Sequence, residues 1–190
     1  KWLTGVLAAA MALSLAACSS GNAASTPAPA DTSTPTDTAA PSEGATYTVG
    51  ICQLVTHDAL DAATQGFQDA LTELLGDSVT IDPQNASGDT ANCTTIANNF
   101  VSQGVDLIMA NGTTALQAAA TGTSTIPILG TSITEYGVAL GLTDFSGTVG
   151  GNISGTSDLA PLDQQADMIV EWMPDAKKVG LLYCSAEANS

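Results

Sequence analysis

From Tyr47 onward, the spacing of apolar residues alternates between two patterns, and this alternation predicts a mixed α/β fold. Short apolar runs predict strands at 47–54, 79–82, 105–110 and 126–130. Apolar residues spaced three and four apart predict helices over 58–75, 90–103 and 113–120. The run at 105–110 is almost continuously apolar, as in a strand covered on both faces. Strands and helices that alternate with short connections predict a doubly wound parallel sheet.

The last forty residues predict the start of a second unit. Residues 147–158 are rich in glycine and are interpreted as a crossover, followed by a helix at 161–173 and a strand at 179–183. A sheet left at that point would expose an apolar face and an unpaired edge. We therefore expect a fragment in which 46–156 form the first lobe, while 157–190 form a hinge crossing and the start of a truncated second lobe.

The N-terminal residues are predicted to form an export signal. Residues 3–17 form an uncharged apolar run directly after Lys1, which is too short for a typical membrane span and has the length of a signal-peptide core. Because the chain begins with Lys rather than Met, the prediction for 1–17 is a signal peptide whose start is missing.

The end of this run resembles the lipobox of bacterial lipoproteins. Leu15-Ala16-Ala17 precede Cys18, and that resemblance implies cleavage before Cys18 and attachment of a lipid to its sulfur. Residues 18–45 would then be the lipidated cysteine and a Pro-, Ser- and Thr-rich disordered tether that holds the protein at the membrane.

Charge and motifs exclude several function classes. Nineteen acidic residues against three Lys+Arg give a net charge of −16, which excludes nucleic-acid binding as the main activity. The cysteines beyond Cys18 lack the CxxC or His spacing of a metal site, so neither a metal nor a cofactor is expected. Export would permit a disulfide among Cys52, Cys93 and Cys184, although buried free thiols are the simpler expectation. Residues 47–190 contain neither a nucleophile elbow nor a Walker loop, which argues against an enzyme.

Several segments together resemble the ABC transporter substrate-binding family that includes tryptophan- and tyrosine-binding lipoproteins. The stretches that carry the resemblance are 49–71, 84–120, 126–134, 150–161 and 175–190. The family implies a two-lobe clamshell of the type I periplasmic-binding-protein kind. It also implies capture of a small ligand by closure of the lobes, and delivery to a permease with its ATPase. Alternatives with the same fold are a sugar- or nucleoside-binding protein and a ligand-sensing receptor domain.

The resemblance implies a ligand site between the lobes, where the carboxyl ends of the strands meet. The expected site residues are Gln53, His57, Asn111, Thr113, Thr114, Thr131, Ser132, Ser157, Asp158, Ser185, Glu187 and Asn189. For an amino acid, hydroxyls and helix-start amides would bind the carboxylate, and Asp158 or Glu187 would bind the ammonium group. His57 is the only histidine and could equally cap a helix.

Overall fold

Five parallel strands form the centre of the protein. The computed structural model describes residues 44–189, and its strands are β1 (Tyr47–Gln53), β2 (Val79–Asn85), β3 (Leu107–Asn111), β4 (Ile128–Ile133) and β5 (Ile153–Ser157). The strand order is β2-β1-β3-β4-β5, and every neighbouring pair is parallel. The predicted doubly wound α/β sheet is confirmed.

Three of the five described helices begin at side-chain caps and end at glycines. The helices are α1 (Asp58–Leu75), α2 (Thr90–Gln103), α3 (Thr113–Gly122), α4 (Tyr136–Leu140) and α5 (Leu162–Trp172), with a 3-10 turn at Gly76–Ser78. The side chains of His57, Asp89 and Glu135 accept hydrogen bonds from the first backbone amides of α1, α2 and α4. Left-handed Gly104 and Gly141 end α2 and α4. These signals explain why the predicted bounds of α1 and α2 agree with the structure.

The helices are divided unequally between the two faces of the sheet. Helices α2 and α3 pack together on one face, and α4 lies against α3. Helix α1 contacts β1, β2, β3 and β4 from the opposite face. Alternate residues of each strand therefore point to different helices. On the α2 face, Gly50 lets Phe100 approach so closely that a Cβ at Gly50 would lie 2.6 Å from the Phe100 ring.

The core lies mainly between the sheet and the α2–α3 layer. Its fully buried members include Ile108, Leu116 and Ile128 together with Phe100. Less apolar surface is buried on the α1 face of the sheet. The apolar residues of α1 are only partly covered, and Leu74 is 77% exposed. Strand β2 is an edge strand that pairs only with β1, so Pro83 is tolerated although it has no N–H to donate.

Two local predictions were wrong, and one short helix was not predicted. The glycine-rich crossover at 147–158 contains β5, which pairs with β4 although it is poor in apolar residues. Helix α4 was not predicted, because its five residues are too few to show a helical period. Residues 179–183 form no strand, and Leu182 is fully exposed. A strand forms only beside a hydrogen-bonding neighbour, and the described part of the chain supplies none there.

The predicted signal peptide at 1–17, the lipidated Cys18 and the tether up to residue 43 lie outside the described residues. Within 44–189, no helix has the length and apolar character needed to cross a membrane. The same residues contain no group of three or more His, Cys, Asp or Glu side chains placed to hold a metal ion.

Candidate functional site

A groove of about 420 Å³ lies at the carboxyl ends of β1, β3 and β4. We call it the strand-end groove, and its lining residues are Leu54, Val55, His57, Leu60, Gly112, Thr113, Ser132, Thr134, Glu187 and Asn189. The position is the one at which parallel α/β sheets bind ligands. Of the twelve predicted site residues, the structure brings five to this groove: His57, Thr113, Ser132, Glu187 and Asn189.

The floor of the groove is a continuation of the sheet's hydrogen bonding. The Leu54 amide donates to the Asn111 carbonyl (3.0 Å), and the Gly112 amide donates to the Thr131 carbonyl (3.0 Å). These bonds join the residues that follow β1 and β3 to the neighbouring strands β3 and β4. The backbone segments that bear the polar groups of the groove are therefore held in place by hydrogen bonds to each other.

The start of α3 provides hydrogen-bond donors. Only Gly112 separates β3 from α3, with φ of 106°, and a Cβ there would lie 3.0 Å from the Leu54 Cβ. Glycine is required for both reasons. The first turn of α3 has no side-chain cap, and the Leu116 amide is bonded back to the Gly112 carbonyl (3.0 Å). The backbone amides of Thr113 and Thr114 therefore lie at the N-terminus of α3 without a side-chain cap. A helix N-terminus of this kind favours the binding of an anion.

Glu187 and Asn189 line the groove close to the start of α3. The Asn189 side-chain amide donates to the Thr113 hydroxyl (3.2 Å), and the Asn189 backbone amide is 3.3 Å from a Glu187 carboxylate oxygen. Both side chains are half-buried. The groove is thus lined by both a carboxylate and the positive end of a helix.

His57 has a structural role as well as a place in the groove. Its Nδ1 accepts a hydrogen bond from the Ala59 amide (3.2 Å), so it is the N-cap of α1. An accepting Nδ1 leaves Nε2 as the nitrogen that carries the hydrogen. The side chain is exposed, and it lines the groove while it caps the helix.

Ser132 holds an unfavourable backbone conformation at the end of β4. Its φ is 55°, a left-handed value that non-glycine residues rarely adopt, and Ser87 (φ 56°) is the other such residue in the described chain. Strained positions of this kind cluster at functional sites. Ser132 lines the groove, whereas Ser87 lies in the connection between β2 and α2.

Gln53 and Asn111 are buried beneath the groove and belong to a polar network with α1. Gln53 is 5% exposed and Asn111 is fully buried. The Thr64 hydroxyl donates to the Gln53 side-chain oxygen (2.6 Å) and accepts from the Asn111 amide (3.0 Å), which also donates to the Leu60 carbonyl (2.8 Å). The Gln53 amide donates to Asp61. These contacts fix the first half of α1 against β1 and β3.

Thr114 and Thr131 point to other cavities. Thr114 lines a groove between α2 and α3. Thr131 lines an apolar cavity of about 340 Å³ between α1 and the sheet, together with Phe67 and Met109. The backbone of both threonines nevertheless lies near the strand-end groove. The Thr131 carbonyl accepts a hydrogen bond from the Gly112 amide, and Thr114 belongs to the first turn of α3.

Ser157, Asp158 and Ser185 do not line the groove. The Ser157 hydroxyl donates to the Thr134 carbonyl (2.6 Å), and the Asp158 amide donates to the Ile133 carbonyl (3.0 Å), so both fasten the end of β5 to β4. Burial, with a smaller contribution from the Asp158 charge, raises the pKa of the Tyr136 hydroxyl. Ser185 is exposed in a turn.

Five of the lining residues are not among the twelve predicted site residues: Leu54, Val55, Leu60, Gly112 and Thr134. Leu60 carries the helical apolar spacing of a core residue, so nothing in the sequence marks it as groove-facing. Gly112 had a usable signal, because a glycine between a predicted strand and a predicted helix marks a tight turn.

Comparison with known proteins identifies relatives of this chain. Residues 48–190 match the family described as ABC transporter substrate binding protein. The tyrosine-binding protein of Clostridioides difficile (strain R20291) is 42% identical over 145 residues, which are 75% of this chain and 42% of that protein. An ABC domain in complex with L-Trp from Streptococcus pneumoniae is 35% identical, with a TM-score of 0.70 over 76% of this chain and 50% of its own.

A conserved domain protein from Vibrio cholerae gives the same TM-score of 0.70 at 35% identity, over 76% of this chain and 49% of that one. The chain therefore spans about half of the length of these solved structures, and less than half of the tyrosine-binding protein.

Proposed function

Because this chain belongs to the ABC transporter substrate-binding protein family, we propose that it captures an amino acid with an aromatic side chain for an ABC importer. Its relatives include a tyrosine-binding protein and an ABC domain in complex with L-Trp. The observation that carries the proposal is the pairing, within one groove, of the uncapped start of α3 with the carboxylate of Glu187.

An amino-acid zwitterion matches these two charges. Its carboxylate accepts hydrogen bonds from the α3 amides and the Thr113 hydroxyl, where the helix dipole favours a negative group. Its ammonium group donates to Glu187, and such charge-assisted bonds are the strong ones. The net charge of −16 disfavours ligands that are anionic overall, whereas a zwitterion has no net charge to repel.

The apolar part of the groove accommodates the ligand's side chain. Leu54, Val55 and Leu60 supply an aliphatic wall next to the polar groups. An aromatic ring buries a large apolar area against such a wall. Among the described residues, no Phe, Tyr or Trp lines the strand-end groove. A sugar ligand, which usually stacks on aromatic rings, is therefore the weaker alternative.

The mechanism we propose is closure of two lobes on the ligand. Residues 46–156 are the first lobe, and residues 157–190 are the hinge crossing and the beginning of the second lobe. A ligand that contacts both lobes favours the closed state by its differential affinity for that state. Glu187 and Asn189 approach the groove from the second of these segments. No catalytic step is part of the proposal.

The proposed location is the outer face of the cell membrane. A substrate-binding protein works outside the cytoplasm, and the lipobox at Cys18 would anchor it there by a lipid. The closed protein would deliver its ligand to an ABC permease and its ATPase. A receptor domain with the same fold is the alternative, and the lipid tether favours the transport role.

The test uses calorimetry on the protein extended through its second lobe, with Cys18→Ser to prevent lipidation. L-Trp, L-Tyr and L-Phe are titrated beside tryptamine, which lacks the carboxylate, and indole-3-propionate, which lacks the ammonium group. We expect binding of an aromatic amino acid and at least a hundred-fold weaker binding, about 3 kcal/mol, of both analogues. Binding of a sugar or nucleoside instead would replace the proposed ligand class.

Glu187→Gln tests the ammonium contact. We expect the variant to lose roughly ten-fold or more in affinity for the amino acid while its affinity for indole-3-propionate stays the same. The matched control is Glu73→Gln, at an exposed position on α1 away from the groove. Equal losses for both ligands would remove Glu187 from the ammonium contact.

A further inference from the structure

His57 stands among the apolar residues of the strand-end groove. Leu54 and Val55 precede it in the loop after β1, and Leu60 follows it in the first turn of α1. All four residues line the groove. In the proposed function the three apolar residues form the wall that receives the ligand's side chain. The imidazole is therefore placed to meet that side chain.

The cap of α1 fixes which nitrogen of His57 carries the hydrogen. The Ala59 backbone amide is a donor, so Nδ1 must accept its hydrogen bond (3.2 Å). In the neutral ring, Nε2 is then a donor with no capacity to accept. The bond to Ala59 is the one that the described residues give this ring. Since the side chain is exposed where it lines the groove, its Nε2–H is available to a ligand.

A donor that cannot accept distinguishes between the three aromatic amino acids. The phenol oxygen of tyrosine accepts a hydrogen bond, whereas the indole nitrogen of tryptophan only donates and the ring of phenylalanine has no polar atom. A ring that covers Nε2–H without accepting its hydrogen removes water from this donor and leaves it without a partner. That loss lowers the affinity for the ligand.

The hydroxyl groups of the groove do not discriminate in this way. Ser132 and Thr134 also line it. A hydroxyl both donates and accepts, and it rotates to suit either a phenol or an indole. Discrimination between the two rings therefore falls to His57, whose hydrogen is fixed by the helix cap.

We propose that His57 makes the groove selective for tyrosine over phenylalanine and tryptophan, through a hydrogen bond from Nε2 to the phenol oxygen. The same ring caps α1 through Nδ1, so the helix start holds the selecting nitrogen in position. This inference rests on the proposed function, because it requires an aromatic amino acid in the groove.

The test is calorimetric titration of the protein extended through its second lobe, in the Cys18→Ser background, with L-Tyr, L-Phe and L-Trp. We expect L-Tyr to bind about ten-fold more tightly than the other two, which is roughly the effect of one hydrogen bond. A further ligand, para-amino-L-phenylalanine, has nearly the shape of tyrosine but is a poor acceptor. It should bind as weakly as L-Phe, and binding equal to that of L-Tyr would overturn the hydrogen bond as the cause.

His57→Asn separates selectivity from helix capping. The asparagine side-chain oxygen can accept from the Ala59 amide, so α1 stays capped, but the shorter side chain has no group in place of Nε2. The ratio of the L-Phe and L-Tyr dissociation constants should fall from about ten to below about three. The matched control is Asp89→Asn, which alters the N-cap of α2 outside the groove and should leave the ratio unchanged.

The outcomes separate this inference from the proposed function. Equal affinity for the three amino acids would overturn the selectivity while the proposed function stands. Equal losses of L-Tyr and L-Phe affinity in His57→Asn would do the same, since a purely structural role of the ring affects both ligands alike. Absence of binding of any aromatic amino acid to the parent protein would overturn both.

Discussion

The Thr64 hydroxyl donates a 2.6 Å hydrogen bond to the side-chain oxygen of Gln53 beneath the strand-end groove. The same hydroxyl accepts from the Asn111 side chain, so one atom on α1 connects the ends of β1 and β3. The Asn111 side-chain oxygen is itself buried without a partner, so the network already contains one unsatisfied acceptor before any bond is removed.

Replacing Thr64 with Val should destabilise the protein by about 2–3 kcal/mol. The substitution keeps the shape but leaves Gln53 and Asn111 each with one buried polar group that has lost a partner. Urea denaturation measures the loss. Thr72→Val is the control on the same helix, because its hydroxyl is exposed and bonds only to the Gln68 carbonyl. A change below about 0.5 kcal/mol in both variants would show that the network adds no stability.

Replacing Gly155 with Ala should destabilise the protein by more than about 3 kcal/mol. Gly155 has φ of 151°, and a Cβ there would collide with the Gly130 carbonyl and with the Tyr136 hydroxyl that bonds to it. Backbone cannot yield as a flexible side chain does, so β4 and β5 would separate. Gly66→Ala is the control, since its Cβ meets nothing within 4 Å and α1 gains helix propensity. Thermal unfolding should show Gly155→Ala lowered and Gly66→Ala slightly raised.

Ser132→Gly should separate stability from binding. Glycine relieves the left-handed strain, so the free energy of unfolding should rise by roughly 0.5–1 kcal/mol. Amino-acid affinity should fall, because the hydroxyl that lines the groove is lost. Ser87→Gly has the same backbone conformation away from the groove and should raise stability without changing affinity. Unchanged affinity in both variants would exclude Ser132 from ligand contact.

The reduced protein should lose stability as the pH rises above about 9. The Cys52 pKa is about 12 in the folded protein, against 9.0 for an unperturbed thiol, so the unfolded chain releases this proton first. The contribution of the protonated Cys52 thiol to the free energy of unfolding is then fully present below pH 9. It falls by roughly 1.4 kcal/mol per pH unit as the pH rises toward 12. Cys52→Ala should show a shallower slope between about pH 9 and pH 12, whereas Cys184→Ala should keep the wild-type slope. Identical slopes in all three proteins would contradict the assignment.

The 190-residue chain should bind an aromatic amino acid roughly a hundred-fold more weakly than the two-lobe protein. The reason is that a ligand held between lobes derives its affinity from contacts on both sides. Titration of both proteins with the same amino acid measures the ratio. Micromolar binding by the 190-residue chain alone would show that the first-lobe groove and Glu187 are sufficient.

The sequence predicted helices α1 and α2 to the residue, because His57, Asp89, Gly76 and Gly104 act locally and leave signals in adjacent positions. Strand β5 left no such signal: its stability comes from pairing with β4, and only one of its five residues is a large apolar one. Residues 179–183 show the converse case. Their apolar pattern is that of a strand, yet a pattern cannot provide the neighbour that a strand needs.

The candidate site was predictable as a region but not as a set of side chains. Gln53 and His57 were both predicted from their position at the end of β1. Gln53 is buried against α1, whereas His57 is exposed in the groove. The difference arises because Gln53 is the last residue of β1 and is covered by α1, whereas His57 lies beyond the strand as the N-cap of α1. Glu187 and Asn189 were placed at the ligand by family resemblance alone, and they stand in the groove beside Thr113.

The single residue between β3 and α3 has a thermodynamic consequence. With only Gly112 as a link, the amides at the start of α3 move only when the sheet moves. If a ligand anion binds there as proposed, it would freeze almost no backbone torsions, so the proposed first lobe would contribute little to the conformational entropy lost on binding. Most of that entropy loss would then come from the other lobe and the hinge. Changes in those two parts should therefore alter the heat and entropy of binding more than changes in α3 do.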